Sequence, residues 1–201
     1  RQKLKTKGIC FKTNTDTEVL LQMLITEGVD CLSRLNGMFA FAFYDRNEKK
    51  CLLARDHFGI KPLYYINSGS QFIFASEIKA LLKHPEVVAK VNLRGLQHYL
   101  SLQLLLGDET FFSDIKTLEP ASYIWIHNES VSAPKKYWKL THEVDFDTSE
   151  EIFNTKLQNL LQDSVKIQCR SDAPLGAYLS GGLDSSIITS LASNGAIESL
   201  P

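Results

Sequence analysis

Seven consecutive residues, Ser180–Ser186, combine residue types that can bind a phosphate group. Their sequence is SGGLDSS; an apolar segment ending at Leu179 precedes the turn and a helical pattern starts near Leu183, which predicts a strand, a glycine-rich turn and a helix. Glycines let the backbone approach a ligand closely, and the free N–H groups of the following helix point at the turn. The spacing therefore predicts an anion-binding turn, for which an ordinary turn before a capped helix is the alternative.

Asp184 indicates which cation would accompany the anion. The P-loop pattern is absent and no lysine lies in the turn to reach a terminal phosphate. A carboxylate beside a bound phosphate repels it unless a cation lies between the two groups. Asp184 therefore predicts Mg²⁺ shared with the bound phosphates, while Ser180, Ser185 and Ser186 add hydroxyl donors.

Hydrophobic periodicity predicts the elements that would position this turn. Residues 38–44 place phenylalanines on one face and other apolar residues on the opposite face, which predicts a strand covered on both sides. Further short strands and helices follow, so residues 1–145 are predicted to form a layered sheet. From Ser149 the apolar residues repeat with helical period, after the polar segment THEVDFDTSEE. We expect a domain boundary near residue 145 and a second domain that is cut short, because an α/β nucleotide domain needs about 100 residues or more.

Composition excludes several function classes. Lys and Arg number 22 against 23 Asp and Glu, a net charge of −1, so no positive surplus exists to bind a nucleic acid or an anionic membrane. No apolar run reaches the ~18 residues of a membrane helix, and a cytosolic protein is expected. The four cysteines have no metal-ligand spacing and are expected to be bystanders. Because the chain begins at Arg1 without an initiator methionine, we expect it to be a piece of a longer protein.

Several motifs together resemble a known family. In chain order they are RLNGMFAFAFYD, ARDHFGIKPLYY, FASEIKALL and SGGLDSS. SGGLDSS alone is similar to the pyrophosphate-binding loop of ATP pyrophosphatases, and the whole series resembles glutamine-hydrolysing asparagine synthetase. The resemblance covers nearly the whole chain.

The resemblance implies a fold and a reaction. The expected fold class is α+β and α/β: an incomplete Ntn-hydrolase-like αββα sandwich in residues 1–145, the C-terminal part of a class II glutamine amidotransferase domain, then the start of an adenine nucleotide alpha hydrolase-like α/β domain in residues 146–201. Ammonia released from L-glutamine would travel through a channel to L-aspartate activated by ATP as β-aspartyl-AMP. The expected partners are therefore L-glutamine, L-aspartate and ATP with Mg²⁺, without nucleic acid or membrane, and a homodimer is left open.

The resemblance also assigns site residues. Asp16 in TNTDTEV matches the Asp of the family motif T-x-S-D-x-E and would accept a hydrogen bond from the glutamine α-ammonium. A plain helix cap is the alternative for Asp16, and both roles can coexist. Asp184 would bind Mg²⁺. The residues expected to bind ATP or pyrophosphate are Leu179, Ser180, Gly181, Gly182, Leu183, Asp184, Ser185 and Ser186.

The family nucleophile has no counterpart in this chain. It is a cysteine at the mature N-terminus whose α-amino group serves as its base, whereas residue 1 here is Arg1 and Cys10 lies in a later segment of the domain. The Arg and the Asn-Gly-Glu segment that hold glutamine in the family are also absent. No residue of the chain is therefore expected to be catalytic, and the chain alone is expected to hydrolyse no glutamine.

One further pair attracts a catalytic interpretation that we reject. Arg55 and Asp56 lie in a turn fixed by Gly59 and Pro62, and an ion pair between them is sufficient reason for both residues. His57 in the same turn is expected to be exposed or packed.

Two alternatives to the asparagine synthetase reaction stay open. The acceptor could be a cell-surface precursor or a sugar carboxylate, because related amidotransferases serve such pathways. A non-catalytic binding or scaffold protein of the same fold is the second, although a scaffold gives no physical reason to keep Asp184 beside a phosphate-binding turn.

Overall fold

The computed structural model describes residues 1–69, 71–128 and 130–196 of the chain. These residues belong to two compact units, Arg1–Leu140 and Thr141–Pro201. The boundary expected near residue 145 lies in a segment after Leu140 that has neither helix nor strand, and residues 197–201 of the predicted second domain lie outside the described residues. No helix of the described residues is long and apolar enough to cross a membrane.

Both units contain helices, and the strands of the described residues all belong to the first unit. Its helices are α1 Gln2–Thr6, α2 Asp16–Glu27, a 3₁₀ helix Gly28–Arg34, α3 Ile78–Leu81 and α4 Leu93–Leu102. Its strands are β1 Ala40–Asp45, β2 Lys50–Arg55, β3 Tyr64–Asn67, β4 Phe72–Ala75, β5 Lys116–Thr117, β6 Ser122–His127, β7 Ser130–Val131 and β8 Lys135–Lys136. The second unit contains α5 Glu150–Gln168 and α6 Leu183–Ala196.

The strands form two antiparallel sheets that face each other. The first sheet has the order β1-β2-β6-β7 with β8 beside β6, and the second has the order β4-β3-β5. Buried side chains from both sheets meet in one cluster between them, because alternate residues of each strand point inward. The members of that cluster are Leu53, Leu63, Tyr65, Leu118 and Ile124.

Helices cover the outer faces of both sheets. Leu24 of α2 and Cys31 of the 3₁₀ helix are buried against Leu52 on the outer face of the first sheet. Leu81 of α3 is buried with Ile66 on the outer face of the second sheet. The order of layers is helix, sheet, sheet, helix, which confirms the predicted αββα sandwich.

Strand β1 is covered on both sides along only part of its length. Phe41 and Phe43 pack against the helical layer, as their alternation predicts, and Ala40 packs against the cluster between the sheets. Tyr44 is 57% exposed and Met38 is 40% exposed. The prediction of full cover on both faces is therefore wrong, because β1 is the end strand of its sheet order.

The second unit contains helices where a strand was also expected. The described residues between α5 and α6 form no strand, so the predicted strand ending at Leu179 is wrong. A strand is stable only when a neighbour pairs with its backbone, and the described part of this unit supplies no such neighbour. The apolar residues of the segment accordingly lie in solvent, with Tyr178 101% exposed and Leu179 62% exposed.

Candidate functional site

Asp16 is the first residue of α2, and the residue before it caps the helix. The Thr15 side chain accepts a hydrogen bond from the backbone N–H of Glu18, 3.3 Å away, and Thr15 has an extended backbone. These are the features of an N-cap residue, which satisfies a helix N–H that has no partner inside the helix. The proposed capping role of Asp16 is therefore wrong, and the carboxylate of Asp16 is left for another task.

Glu18 holds the segment that leads into α2. Its two carboxylate oxygens accept the backbone N–H groups of Lys12 at 2.8 Å and Thr13 at 2.7 Å, and the Thr13 hydroxyl donates to Glu18 at 2.6 Å. The Thr13 hydroxyl, followed by the Lys12 amide, lowers the pKa of Glu18 below its ordinary value. Thr15 and Glu18 have the spacing of a capping box, which predicts that the Glu18 carboxylate accepts the Thr15 N–H. The carboxylate instead accepts the N–H groups of Lys12 and Thr13 and so fixes the loop before Asp16.

The carboxylate of Asp16 borders a cavity of about 810 Å³. Its one hydrogen bond among the described residues is a long one, accepted from the Thr17 hydroxyl at 3.4 Å. Four other parts of the first unit line the same cavity, and they contribute Arg1, Asn36, Gly37, Phe39, Lys61, Pro62 and Ser76. An exposed carboxylate with little internal hydrogen bonding can accept charge-assisted hydrogen bonds from an ammonium group.

The turn after β2 supplies one wall of this cavity, and Asp56 holds that turn from within. Asp56 is 1% exposed, and its carboxylate accepts backbone N–H groups from both sides of the turn. The donors are Phe39 at 3.2 Å, Phe58 at 3.2 Å, Ile60 at 2.9 Å and Lys61 at 2.9 Å. Burial raises the pKa of Asp56, but these N–H donors together outweigh it, so the pKa lies below its ordinary value.

Arg55 binds backbone carbonyl groups, and no ion pair joins it to Asp56 within the described chain. Its guanidinium donates to the carbonyl oxygens of Lys61 at 2.7 Å, Gly59 at 2.6 Å and Leu118 at 2.6 Å. The predicted Arg55–Asp56 ion pair is therefore wrong, because neighbouring residues on an extended chain point in opposite directions. The rejection of Arg55 and Asp56 as a catalytic pair agrees with this geometry, since both side chains are hydrogen-bonded to backbone groups.

His57 and the cysteines do not line the cavity beside Asp16. The His57 ring packs edge-on against Tyr137 at 5.2 Å and Trp138 at 5.1 Å, so it is packed as predicted. All four cysteines are free thiols. Burial raises the pKa values of the Cys31 and Cys51 thiols, which lowers their reactivity.

Residues Ser180–Ser186 form a glycine turn followed by the first turn of α6, as their spacing predicts. Gly181 has a φ of +82°, a conformation that favours glycine. The carbonyl oxygen of Gly182 accepts the hydroxyl groups of Ser185 at 3.0 Å and Ser186 at 2.8 Å. Ser180 and Ser185 share a hydroxyl hydrogen bond of 3.0 Å. The serines therefore shape the turn, and a ligand would meet mainly backbone N–H groups.

Asp184 stands in the first turn of α6, where the helix presents N–H groups without intrahelical partners. Among the described residues no group of three or more His, Cys, Asp or Glu side chains could hold a metal by itself. Mg²⁺ bound with a nucleotide commonly takes one or two carboxylates and completes its shell with phosphate oxygens and water. A single carboxylate beside free helix N–H groups fits that donor set.

Sequence reasoning missed most of the cavity around Asp16. Its lining residues come from separate segments, and the sequence carries no local signal that Lys61 and Asp16 share a wall. A partial signal existed for Asp56, because Asp is a frequent first residue of turns that its own side chain stabilises.

Comparison with known proteins gives two family matches. A model described as a glutamine amidotransferase domain matches residues 1–138, and a model described as asparagine synthase matches residues 156–199. Asp16 and the turn of Asp56 fall within the first match. Ser180–Ser186 fall within the second.

Several curated relatives align with nearly the whole chain. Asparagine synthetase [glutamine-hydrolyzing] 3 of Bacillus subtilis is 38% identical over 193 residues, which are 96% of this chain and 31% of the relative. Asparagine synthetase [glutamine-hydrolyzing] 1 of the same organism is 38% identical over 192 residues, 96% of this chain and 30% of the relative. An amidase of Gibberella zeae is 30% identical over 190 residues, 92% of this chain and 27% of the relative. The chain thus spans less than a third of the length of these relatives.

A solved structure also aligns with the chain. It is the glutamine phosphoribosylpyrophosphate amidotransferase of B. subtilis complexed with ADP and GMP, with a TM-score of 0.47 and 17% identity. The alignment covers 96% of this chain and 40% of that chain.

Proposed function

The chain belongs to the glutamine amidotransferase domain family, and from this we propose that it is part of a glutamine-hydrolysing asparagine synthetase. Two family matches in one chain, in the order glutamine amidotransferase and asparagine synthase, support the proposal. Residues 1–145 would be the C-terminal part of the glutaminase domain. Residues 146–201 would be the N-terminal part of the ATP-dependent synthetase domain.

The reaction of the whole protein would convert L-aspartate, L-glutamine, ATP and water into L-asparagine, L-glutamate, AMP and pyrophosphate. Glutamine hydrolysis supplies ammonia, and activation of the aspartate side chain by ATP makes its carboxyl group reactive toward that ammonia. We place this synthesis in the cytoplasm. The single observation that carries the proposal is that one chain holds Asp16 inside the first match and Ser180–Ser186 inside the second.

Asp16 would bind the α-ammonium group of glutamine. Thr15 has taken over the helix cap, and the Asp16 carboxylate borders a cavity of about 810 Å³ that can admit a small amino acid. Glu18 fixes the loop before Asp16, so the backbone that presents the carboxylate is held in place before the substrate arrives. Preorganisation of this kind lowers the entropy cost of binding.

The turn Ser180–Ser186 would bind the phosphates of ATP and the pyrophosphate product. Backbone N–H groups at the start of α6 would donate to phosphate oxygens, and Gly181 would allow the phosphates to approach closely. Asp184 would hold Mg²⁺. Bound there, the ion would neutralise the charge that develops on pyrophosphate as it leaves.

No residue of this chain is assigned to nucleophilic attack on glutamine. Cys31 is fully buried, and burial raises the pKa values of the Cys31 and Cys51 thiols, which disfavours the reactive thiolate. A thiol nucleophile in this family would require an adjacent base, and the described surroundings of Cys31 provide apolar packing.

Product analysis of the whole protein tests the proposed reaction. We expect aspartate and ATP to give asparagine and pyrophosphate with either glutamine or free ammonia as the nitrogen source. Glutamate should form only with glutamine. Failure to form asparagine from either source would contradict the proposal. Amide formation with a different carboxylate would favour the alternative acceptors, a cell-surface precursor or a sugar carboxylate.

A further inference from the structure

We propose that Asp56, which does not border the cavity itself, is a positioning residue of the glutamine site. The inference rests on the proposed function, because it takes the cavity beside Asp16 to be the glutamine-binding cavity. Asp56 would act by holding Phe39 and Lys61, two residues from separate segments that line this cavity.

The two carboxylate oxygens of Asp56 bind different pairs of backbone N–H groups. Oδ1 accepts the N–H groups of Phe58 and Ile60, which closes the turn upon itself. Oδ2 accepts the N–H groups of Phe39 at 3.2 Å and Lys61 at 2.9 Å. Oδ1 therefore stabilises the turn alone, whereas Oδ2 joins the turn to the segment that enters β1.

Lys61 is bound at its backbone N–H and at its backbone carbonyl oxygen. Asp56 accepts its N–H, and Nε of Arg55 donates to its carbonyl oxygen at 2.7 Å. Both polar groups of Lys61's backbone are thus fixed by side chains of the turn. The same applies in part to Phe39, whose N–H is bound by the Asp56 carboxylate and whose carbonyl oxygen accepts the Asp56 N–H at 2.8 Å.

Asp56 is also buried. It is 1% exposed, and an N–H group that loses its partner inside the protein destabilises the fold, so the donors stay bound to the carboxylate. The two wall segments consequently keep one spacing. A glutamine that contacts Asp16 meets walls that are already set, whereas a loosened turn would let Lys61 and Phe39 drift from Asp16.

Two variants separate this role from general stabilisation, and both belong in the whole protein. Asp56→Asn keeps the side-chain shape but replaces one acceptor oxygen with a donor group. Gly59→Ala acts indirectly: its Cβ would lie 2.9 Å from Cζ of Arg55 and 3.1 Å from Nε, the atom that donates to Lys61, so this side chain must shift. Gly107→Ala is the matched control, because Gly107 has nearly the same φ, +62° against +64°, and its nearest neighbour is 3.8 Å away.

We expect Asp56→Asn and Gly59→Ala to raise the KM for glutamine about tenfold or more, since small misplacements at a binding site are costly. The kcat with ammonia should stay within about twofold of the parent, because ammonia needs no glutamine site. Gly107→Ala should leave both constants unchanged. Asp16→Asn is the reference variant for the site itself.

The outcomes distinguish the inference from the function on which it rests. An unchanged KM in Asp56→Asn and Gly59→Ala, with a raised KM in Asp16→Asn, overturns the inference alone. An unchanged KM in Asp16→Asn overturns the assignment of the cavity to glutamine. If Asp56→Asn does not fold, Gly59→Ala decides, and loss of synthesis with both nitrogen sources in Gly59→Ala would show that the turn serves folding only and would overturn the inference.

Discussion

The Thr15 side-chain oxygen accepts the backbone N–H of Glu18 at 3.3 Å, so Thr15 caps α2 and the Asp16 carboxylate is not needed as a cap. The sequence TNTDTEV leaves either residue able to cap the helix. With Thr15 in that position, the two adjacent side chains have separate tasks. Thr15 starts the helix, and Asp16 faces the cavity.

Replacement of Thr15 by alanine should weaken the start of α2. Loss of an N-cap side chain costs about 1 kcal/mol, which corresponds to about fivefold faster local opening. Hydrogen exchange of the Glu18 amide would measure this change. Thr17→Ala is the matched control, because Thr17 is also an exposed threonine at this end of α2 but does not cap it. Equal exchange rates in Thr15→Ala and the parent would contradict the cap assignment.

Tyr137 should make the protein sensitive to alkaline pH. Burial, followed by the nearby charge of Asp56, raises the pKa of Tyr137 above its ordinary value of 10, and its hydroxyl donates to the carbonyl oxygen of Arg55 at 2.8 Å. A pKa that is higher in the folded state gives stability that is complete below the unfolded value and is lost as pH rises through the folded value. We therefore expect stability to fall above about pH 10, and Tyr137→Phe to remove part of that fall.

Denaturant titrations of the whole protein at neutral and alkaline pH would measure the effect of Tyr137. Tyr44→Phe is the control, because it removes the same hydroxyl group from a tyrosine that is 57% exposed. An identical alkaline loss of stability in Tyr137→Phe and the parent would show that Tyr137 does not titrate on unfolding.

Features that depend on residues close together in the sequence could be predicted from it, whereas features that depend on contacts between distant residues could not. A layered sheet in the first unit and the long helix α5 in the second were predictable, because the alternation in residues 38–44 and the helical stripe of α5 are local patterns. The αββα arrangement itself was predicted only through the resemblance to the family. The strand ending at Leu179 was predicted wrongly, since strand formation depends on a neighbour that the sequence pattern does not reveal.

The same distinction between local and distant contacts applies to the candidate site residues. The glycine turn before α6 was predictable, because its glycines, serines and Asp184 are contiguous. The cavity beside Asp16 was not, because Phe39 and Lys61 join its lining through tertiary packing. The wrong Arg55–Asp56 ion pair shows the related error of taking neighbours in sequence for neighbours in space.

Replacement of Asp184 by alanine should remove nucleotide chemistry and spare glutamine hydrolysis. Loss of a carboxylate from a Mg²⁺ and phosphate site is worth several kcal/mol of charge stabilisation, and about 1.36 kcal/mol is tenfold in rate. We expect aspartate-dependent exchange of pyrophosphate into ATP to fall by about a hundredfold or more. Asp163→Ala, at an exposed acidic residue of α5, is the matched control. Unchanged exchange in Asp184→Ala would leave the turn as a structural feature.

The last prediction concerns Asp16→Asn, which removes one negative charge and little volume. Because Thr15 caps α2, the substitution should not open the helix, and hydrogen exchange of the Glu18 amide should stay close to that of the parent. A hydrogen bond to a charged group is worth about 1.5–3 kcal/mol, so kcat/KM for glutamine should fall about 10- to 100-fold.

Synthesis of asparagine from free ammonia should survive in Asp16→Asn, since ammonia bypasses the glutamine site. The measurement is steady-state kinetics of the whole protein with each nitrogen source in turn. Glu18→Gln is a useful companion, because it weakens the loop that presents Asp16 and keeps the charge of Asp16 itself; it should raise the KM for glutamine by less than Asp16→Asn does. Equal loss with both nitrogen sources would indicate misfolding, and unchanged kinetics with glutamine would mean that the exposed carboxylate of Asp16 binds no substrate.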